Sequence, residues 1–384
     1  MQLRGNWNYP TTIRFGAGRI AELGDAVKSC GMRRPLLATD SFLSGTAMVK
    51  NVVATLEAAG VSCVVFNNVR SNPNAANVDE GVQAFKSGNH DGVIAFGGGS
   101  ALDVGKVIAF MAGQSRPLWD FEDIGDFWTR ADPGIAPIIA VPTTAGTGSE
   151  VGRAGVITNE VTHTKTVIFH PLMMPKITIC DPELTVGMPP LITAGTGMDA
   201  LAHCLEAYCA PFYHPLADGI AVEGMRLVKD NLTRAVKEGK DIEARADMMS
   251  AALMGATAFQ KGLGAIHALS HPVGALHDTH HGMTNAIFMP YVLVYNRPAI
   301  EEKIARLASF LGLAHSFDAF LHFILELREN IGVPNSLHEL GIKNPDVGRI
   351  AAMAPRDPTA GGNPVPINEA SARQIVSNAL EGKL

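Results

Sequence analysis

The sequence predicts an α/β N-terminal domain built on an open parallel sheet, followed by an all-α C-terminal domain. Up to about residue 188, short apolar runs alternate with helical stretches that end at glycine. Strand, helix and strand in succession imply parallel strands joined by right-handed crossovers. Beyond residue 188 the strand signals stop and helical periodicity continues. Because 384 residues exceed one average domain, we expect two domains, at 1–188 and 189–384.

The elements of the first domain are predicted from short segments bounded by turn residues. Five segments are typical of strands because they are short and rich in β-branched residues. Two segments between them have helical periodicity and end at glycine. The stretch 145–176 contains GVITN and TKTVIFH, so we expect it to leave the main sheet as a β-excursion. The predicted strands are 35–40, 62–67, 91–99, 137–144 and 177–182, and the predicted helices are 48–60 and 78–88.

The second domain is predicted to be entirely helical. Pro189 and Pro190 favour a hinge before it. The predicted helices are 193–210, 216–238, 241–259, 263–276, 299–313, 316–331 and 368–380.

The composition is that of a soluble globular protein, with 47% apolar and 18% charged residues. A net charge of −6 gives no reason to expect nucleic acid or an anionic membrane as a partner. The N-terminal MQLRGNWNYP lacks the apolar core of a signal peptide, and no apolar run approaches the roughly 20 residues of a membrane span. The five cysteines form no C-x-x-C pair, so we expect reduced thiols and a cytoplasmic protein. Cys204 and Cys209 are expected to pack between helices.

Four side chains of the helical domain have the spacing of metal ligands. Asp199 and His203 are four residues apart, which places them on one face of a helix, and His267 and His281 bracket a histidine-rich segment. Three neutral imidazoles and one carboxylate leave positions open on a divalent ion. This set is therefore typical of a catalytic metal rather than a closed structural one.

A glycine-rich turn connects a predicted strand to a predicted helix in GVIAFGGGSALDVGK, residues 92–106. Glycine allows close backbone approach to a ligand, and a helix N-terminus offers free N–H groups and a positive dipole. These properties favour a phosphate at Gly98, Gly99 and Ser100. The pattern is not G-x-G-x-x-G, and a tight turn without a ligand is equally compatible with it.

A second polar loop, VPTTAGTGSEVG at 141–152, directly follows a predicted strand. Its hydroxyls are compatible with turn formation, but their density at the C-terminal end of a strand favours ligand contact. They belong to Thr143, Thr144, Thr147 and Ser149.

Asp40 also ends a predicted strand, PLLATD. A carboxylate there accepts hydrogen bonds from a ribose 2′-OH and repels a 2′-phosphate, although a helix-capping aspartate is equally compatible. The three strand-end features together predict a dinucleotide-binding sheet. We expect cofactor and metal to meet in a cleft between the two domains.

Four motifs together resemble the iron-containing (group III) alcohol dehydrogenases: GGGSALDVGK, PTTAGTGSE, GMDALAHCLEAY and GLGAIHALSHPVGALHDTHHG. The match runs in order from IRFGAG at 13–18 to DPTAGGNP at 357–364. The resemblance implies an NAD(P)-dependent alcohol or aldehyde oxidoreductase with an α/β cofactor domain and a helical metal domain.

The resemblance also implies roles for individual residues. The four candidate ligands match the family's metal ligands, and His271 matches a non-ligand histidine that helps move the proton. Asp40 matches the position where aspartate accompanies NAD preference. Fe(II) is favoured by resemblance alone, because three histidines and an aspartate suit Zn(II) equally. The implied cofactor contacts are Asn72, Gly98, Gly99, Ser100, Thr143, Thr144, Thr147 and Lys165, with Ser149 added from the polar loop and Asp103 as a support below the cofactor.

Other polar residues near these motifs receive weaker roles. His277 and His280 are expected to face solvent or to lie behind the ligands. Lys261 either binds an anionic substrate or is solvated at a helix start. Lys106 is assigned no role.

The predicted reaction is hydride transfer between NAD(H) and a primary or secondary alcohol, or the corresponding aldehyde or ketone. The metal would act as a Lewis acid on the substrate oxygen. Three alternatives stay open: a dehydrogenase specific for an anionic hydroxy acid, a sugar-phosphate cyclase of the dehydroquinate synthase type, and a non-catalytic metal-binding protein. A cyclase needs several basic residues in its pocket, and 193–285 contains few. We expect a homodimer or larger homo-oligomer, since relatives pair and NYPTTIRFGAG is suited to an edge strand.

Overall fold

The computed structural model describes residues 11–384, so the interpretation of MQLRGNWNYP as lacking a signal peptide lies outside the described residues. The described chain forms two compact units. The first comprises residues 11–144 and 148–186, and the second comprises 145–147 and 187–384. This boundary is close to the division expected at residue 188, and the functional domains drawn there stay a prediction.

The first unit contains a six-stranded parallel sheet and a separate antiparallel hairpin. The strands are β1 Thr12–Phe15, β2 Leu36–Asp40, β3 Val64–Val69, β4 Val93–Gly97, β5 Ile138–Pro142, β6 Ala154–Asn159, β7 Thr164–Phe169 and β8 Ile177–Cys180. The sheet order is β1-β8-β5-β4-β2-β3, and β6 pairs with β7 in the hairpin. The five predicted strands and the predicted β-excursion are confirmed. β1 lies at one edge of the sheet among the described strands, as predicted for its segment.

Both faces of the sheet are covered by helices, so its inner strands β2, β4, β5 and β8 are buried on both sides. Leu36 and Ala38 of β2 face one apolar cluster, whereas Leu37 faces the other. The helices of this unit are α1 Leu23–Ser29, α2 Ser41–Ser44, α3 Ala47–Ala58, α4 Ala75–Ser87 and α5 Gly99–Met111. The clusters place α4 and α5 on one face and α1 and α3 on the other.

The second unit is helical, and the described chain has no strand after β8, which confirms the predicted fold class. Its helices are α6 Pro190–Cys209, α7 Pro215–Lys237, α8 Ile242–Ala258, α9 Ala265–His277, α10 His281–Phe310, α11 Phe317–Asn330, α12 Val347–Met353 and α13 Glu369–Glu381. None of the described helices has the length and apolar character needed to cross a bilayer. All five cysteines are free, and Cys204 and Cys209 are buried in α6.

One helix prediction is wrong. The sequence predicts a helix only from residue 299, but α10 begins at His281 and contains Pro290 and Pro298. Proline removes a backbone donor and disfavours a helix interior. Residues 282–293 are all buried, so packing against α6 and α9 outweighs this local cost.

Glu150 is a buried carboxylate in the first unit. It lies in the loop after β5, is 1% exposed, and its Oε1 has no hydrogen-bond partner among the described residues. Burial raises the pKa of Glu150 to about 7, although its own backbone N–H and the Lys106 charge act in the opposite direction. The folded protein therefore retains this proton to a higher pH than the unfolded chain does.

A raised pKa on an acid makes the folded state lose stability as pH rises through the raised value. Glu150→Gln is neutral at every pH, so its stability relative to wild type is expected to increase from pH 5 to pH 8, by up to about 3 kcal/mol. Urea denaturation of both proteins at the two pH values measures the change. Parallel pH profiles would contradict a protonated Glu150.

Candidate functional site

Helix α6 carries the first two predicted ligands. It begins at Pro190, where the fixed φ of proline suits the first helical turn. Asp199 and His203 follow on one helix face, with 2% and 5% exposure, and His203 Nε2 lies 3.8 Å from Asp199 Oδ1. Both donors therefore point to one buried position.

Helices α9 and α10 bring the other two ligands to the same carboxylate. The Nε2 atoms of His267 and His281 lie 3.8 Å and 3.6 Å from Asp199 Oδ1. The close approach of α10 to α6 requires glycine at position 282, because a Cβ there would overlap the backbone carbonyl of Gly195 in α6. The structure thus brings together all four residues predicted from sequence.

The cluster fits a divalent cation. Candidate donor atoms of Asp199, His203 and His267 all lie within 4.8 Å of one another. Burial lowers the pKa of His203 to about 4, so its imidazole is in the neutral form that a metal ligand requires. The side chain of His281 is 25% exposed, unlike the other three. A cation here would be held from one side and accessible from the other.

Glu206 fixes the orientation of His267. Its Oε2 accepts a hydrogen bond from His267 Nδ1 at 2.5 Å, and its Oε1 accepts one from the Ile266 backbone N–H at 2.6 Å. Nε2 of His267 is then the nitrogen turned toward Asp199. Burial acts to lower the pKa of His267, but the carboxylates of Glu206, Asp199 and Asp357 together outweigh it and the pKa is raised. Sequence reasoning missed Glu206, although its place three residues after His203 on the same helix face was a usable signal.

Asp357 holds His271, the predicted proton-transfer residue. Oδ2 of Asp357 accepts a hydrogen bond from His271 Nδ1 at 2.8 Å, and its Oδ1 accepts bonds from the hydroxyl and backbone N–H of Thr359. The His271 ring lies 5.4 Å from the His281 ring, in a stacked arrangement. His271 is therefore fixed beside the ligand cluster. Asp357 begins DPTAGGNP, the last segment of the family resemblance, but the sequence analysis gave it no role, and it lies 86 residues from His271.

Asn285 lies within the ring of ligands and was also missed. Its amide nitrogen donates to Asp199 Oδ1 at 2.8 Å, and lies 3.1 Å from His281 Nε2 and 3.3 Å from His267 Nε2. Its Oδ1 is buried and has no hydrogen-bond partner among the described residues. The four-residue spacing from His281 places Asn285 on the ligand face of α10.

His280 and Lys261 have partners outside the ligand cluster. His280 caps α10 by accepting a hydrogen bond from the Met283 backbone N–H, and His277 ends α9. The expectation that Lys261 is solvated is wrong, because the residue is 4% exposed. Its ammonium donates to the carboxylate of Asp218 at 2.5 Å, so the charge available for an anionic substrate is already paired.

The predicted phosphate loop and the start of the threonine loop, residues 141–144, lie side by side in the first unit. Gly98 is the N-cap of α5, and Gly99 and Ser100 are its first residues. The Thr143 backbone N–H donates to the Gly97 carbonyl at 2.9 Å. A Cβ on Gly98 would lie 3.3 Å from the Thr144 methyl group.

Asp40 ends β2, next to the strand that carries the glycine-rich loop. Its Oδ1 accepts a hydrogen bond from the Leu43 backbone N–H at 2.8 Å, so the capping role is present. Because β2, β4 and β5 are parallel and adjacent, their carboxyl ends share one edge of the sheet. Asp40, the glycine-rich loop and the threonine loop therefore follow one another along that edge.

The other predicted cofactor residues lie around these loops. The Ser100 hydroxyl donates to the carbonyl of Ser71, the residue before Asn72. Thr158, which pairs with Lys165 across the hairpin, donates its backbone N–H to Pro73 at 2.7 Å. These bonds tie the segments that carry Asn72 and Lys165 to the same unit as the phosphate loop.

Asp103 and Ser149 are joined directly, since the Ser149 hydroxyl donates to Asp103 Oδ1 at 2.5 Å. This contact agrees with a supporting position for Asp103.

Thr147 belongs to a different compact unit from Thr143, Thr144 and Ser149, because residues 145–147 pack with the helical unit. Gly146 contacts Thr196 of α6 so closely that a Cβ would lie 2.7 Å from the Thr196 carbonyl oxygen.

Two family models cover nearly the whole chain. Residues 10–182 match the model described as iron-containing alcohol dehydrogenase. Residues 193–380 match the C-terminal model of the Fe-containing alcohol dehydrogenase family.

Individual relatives match along their full length. The 4-hydroxybutyrate dehydrogenase of Cupriavidus necator is 36% identical over 97% of this chain and 99% of its own. The NAD-dependent methanol dehydrogenase of Bacillus methanolicus is 33% identical over 98% of this chain and 100% of its own. The crystal structure of a 1,3-propanediol oxidoreductase superposes with a TM-score of 0.92 at 36% identity, covering 98% of this chain and 100% of that one.

We expect Asn285→Ala to weaken metal binding by about 10- to 100-fold, because groups that orient ligand side chains carry affinity of this size. Competition for Zn(II) between the purified protein and a chromophoric chelator measures it. Asn231→Ala is the matched control, since that buried amide donates only within its own helix, to Leu227 O at 3.0 Å. Identical competition curves for wild type and Asn285→Ala would show that the amide does not organise the ligands.

Proposed function

The chain belongs to the iron-containing alcohol dehydrogenase family and is an NAD-dependent alcohol oxidoreductase, and on this premise we propose which residues carry the reaction. Asp199, His203, His267 and His281 hold the divalent metal. The strand-end loops of the first unit hold NAD(H), which exchanges a hydride with a small alcohol, aldehyde or ketone. The observation that carries this proposal is the convergence of three imidazole nitrogens to within 3.6–3.8 Å of one buried carboxylate oxygen.

The metal site contributes positioning as well as charge. When bound, a divalent metal supplies Lewis-acid chemistry, which favours the charge that develops on an alcohol or carbonyl oxygen. Glu206 keeps His267 in the tautomer that presents Nε2, and Asn285 holds the carboxylate of Asp199. We propose Fe(II) as the metal because the matched family is iron-containing, while the donor set also suits Zn(II).

His271 is proposed to accept the proton released when an alcohol is oxidised, and to return it in reduction. Its Nδ1 is held by Asp357, so Nε2 is the nitrogen left to exchange a proton. Burial acts to raise the pKa of Asp357, but the His271 and Thr359 contacts outweigh it and keep the pKa low. Asp357 is thereby a carboxylate that can stabilise a protonated His271.

The order of the strands suggests how NAD(H) lies along the sheet. The ribose of the adenosine is proposed to meet Asp40 at β2, and the pyrophosphate the glycine-rich loop at β4. The nicotinamide end then reaches the threonine loop at β5, which is the next strand in the sheet. Asn72 and Lys165 lie on segments tied to the pyrophosphate loop.

A small uncharged alcohol or aldehyde is the proposed substrate class. Two relatives are named for methanol and 4-hydroxybutyrate, so the family accommodates neutral and acidic substrates. Lys261 was the residue that favoured an acidic substrate, but its charge is already paired with Asp218. We further propose a cytoplasmic homodimer, supported by five free cysteines and by the position of β1 at one edge of the sheet among the described strands.

A substrate panel tests this function. Wild type loaded with Fe(II) or Zn(II) is assayed with NAD(H) against short alcohols, diols, aldehydes and 4-hydroxybutyrate, by absorbance of NADH. We expect turnover of the neutral substrates, and we expect His267→Ala to lose both metal retention and activity. A metal-replete, active His267→Ala would overturn the ligand assignment. No turnover of any alcohol would favour the cyclase or a non-catalytic metal-binding protein.

Asp40 is expected to select NAD over NADP, since its carboxylate repels a 2′-phosphate. Asp40→Gly removes that charge and should raise the NADP/NAD ratio of kcat/KM by about tenfold or more. Asp40→Asn retains the helix-capping oxygen and separates charge from capping. An unchanged ratio in both variants would leave Asp40 as a helix cap only.

A further inference from the structure

A lysine of the cofactor unit is buried without any role in the site described so far. Lys106 lies on α5, the helix that begins at the glycine-rich loop, and is 1% exposed. Burying an ammonium group is costly unless every hydrogen finds an acceptor. The partners of Lys106 therefore indicate what it holds in place.

Three backbone carbonyls of one segment accept hydrogen bonds from Lys106. Lys106 Nζ donates to Ser149 O at 2.9 Å, to Gly152 O at 3.4 Å and to Ala154 O. Three carbonyls match the three N–H hydrogens of a protonated amine. Asp103 Oδ1 lies 3.3 Å away and balances the charge, while burial acts to lower the pKa of Lys106.

Asp103 binds the same segment from a second point. Its Oδ1 accepts the Ser149 hydroxyl, and its Oδ2 accepts the Val156 backbone N–H at 3.0 Å. Gly155 lies so close to α5 that a Cβ would be 2.9 Å from the Asp103 carbonyl oxygen. The end of the threonine loop and the start of β6 are thus fastened to α5 by two side chains one turn apart.

These hydrogen bonds connect the helix of the proposed pyrophosphate site to the loop of the proposed nicotinamide site. The N-terminus of α5 is the proposed pyrophosphate site, and the segment held by Lys106 continues directly from the threonine loop at β5. We propose that Lys106 is a positioning residue that fixes the threonine loop for the nicotinamide end of the cofactor, an inference that rests on the function proposed above. The adenosine and pyrophosphate sites, at β2 and at the first turn of α5, do not depend on these bonds.

The test compares NADH with ADP-ribose, which lacks the nicotinamide. Metal-loaded wild type, Lys106→Met and Lys106→Arg are titrated with NADH by fluorescence, and ADP-ribose is titrated as its competitor. For Lys106→Met we expect the ratio of NADH affinity to ADP-ribose affinity to fall by about tenfold. The anisotropy of the bound nicotinamide should also fall, with ADP-ribose affinity unchanged. Lys106→Arg keeps the charge, so its ratio of NADH affinity to ADP-ribose affinity is expected to lie between those of Lys106→Met and wild type.

Lys261→Met is the matched control. Lys261 is also a buried lysine with a carboxylate partner and a carbonyl partner, Tyr208 O at 3.1 Å, but it lies in the helical unit. This variant should lose stability without changing the affinity ratio.

Three results would overturn the inference. These are an unchanged ratio in Lys106→Met, an equal loss of both ligands, and the same change of ratio in Lys261→Met. If Lys106→Met does not fold, hydrogen exchange of residues 148–156 is measured in Lys106→Arg instead. We expect faster exchange and weaker NADH binding than in wild type. Unchanged exchange and unchanged NADH affinity would contradict the proposal. A wild type that binds neither ligand would instead overturn the proposed function.

Discussion

The ligand cluster depends on close backbone contact between α6 and α10. Gly282 of α10 lies against the carbonyl of Gly195 in α6, and any side chain at Gly282 would overlap it. Asp199 follows Gly195 by one helical turn, and His281 precedes Gly282, so this contact sets their separation. Gly255 of α8 has a similar effect on the other side, since a Cβ there would lie 2.9 Å from the Cβ of His203. The separation of the four candidate ligands is thus set by helix spacing.

A buried carboxylate then fixes the third helix of the site. Glu206 accepts a backbone N–H from the first turn of α9 and the Nδ1–H of His267, so one side chain orients both the helix and its ligand. A negative charge at a helix N-terminus is favourable. Asn363 satisfies the neighbouring donor, the Ala265 N–H, at 3.1 Å. His267 and His271, one turn apart on α9, are positioned together by this arrangement.

Local patterns in the sequence were sufficient for most of the fold and for selecting the four candidate ligands that the structure brings together. The four-residue spacing of Asp199 and His203 and the glycine turn before α5 are both local, and both hold in the structure. The continuous α10 was not predictable, because packing along 282–293 overrides two prolines. The pairing of Lys261 with Asp218 spans 43 residues, and nothing in the sequence near Lys261 indicates burial. Contacts made only by tertiary packing are where sequence reasoning failed.

Buried charges in both units are better explained by geometry than by stability. Replacing a buried ion pair with apolar groups of similar size is often neutral or stabilising, so stability alone does not account for Lys106 or Glu206. Lys106 instead donates to three backbone carbonyls beside the threonine loop, and Glu206 accepts the Ile266 backbone N–H and the Nδ1–H of His267. An apolar side chain could fill the same space, but it could not fix the direction of a carbonyl or an imidazole. These two residues therefore determine the orientation of the site rather than the stability of the fold.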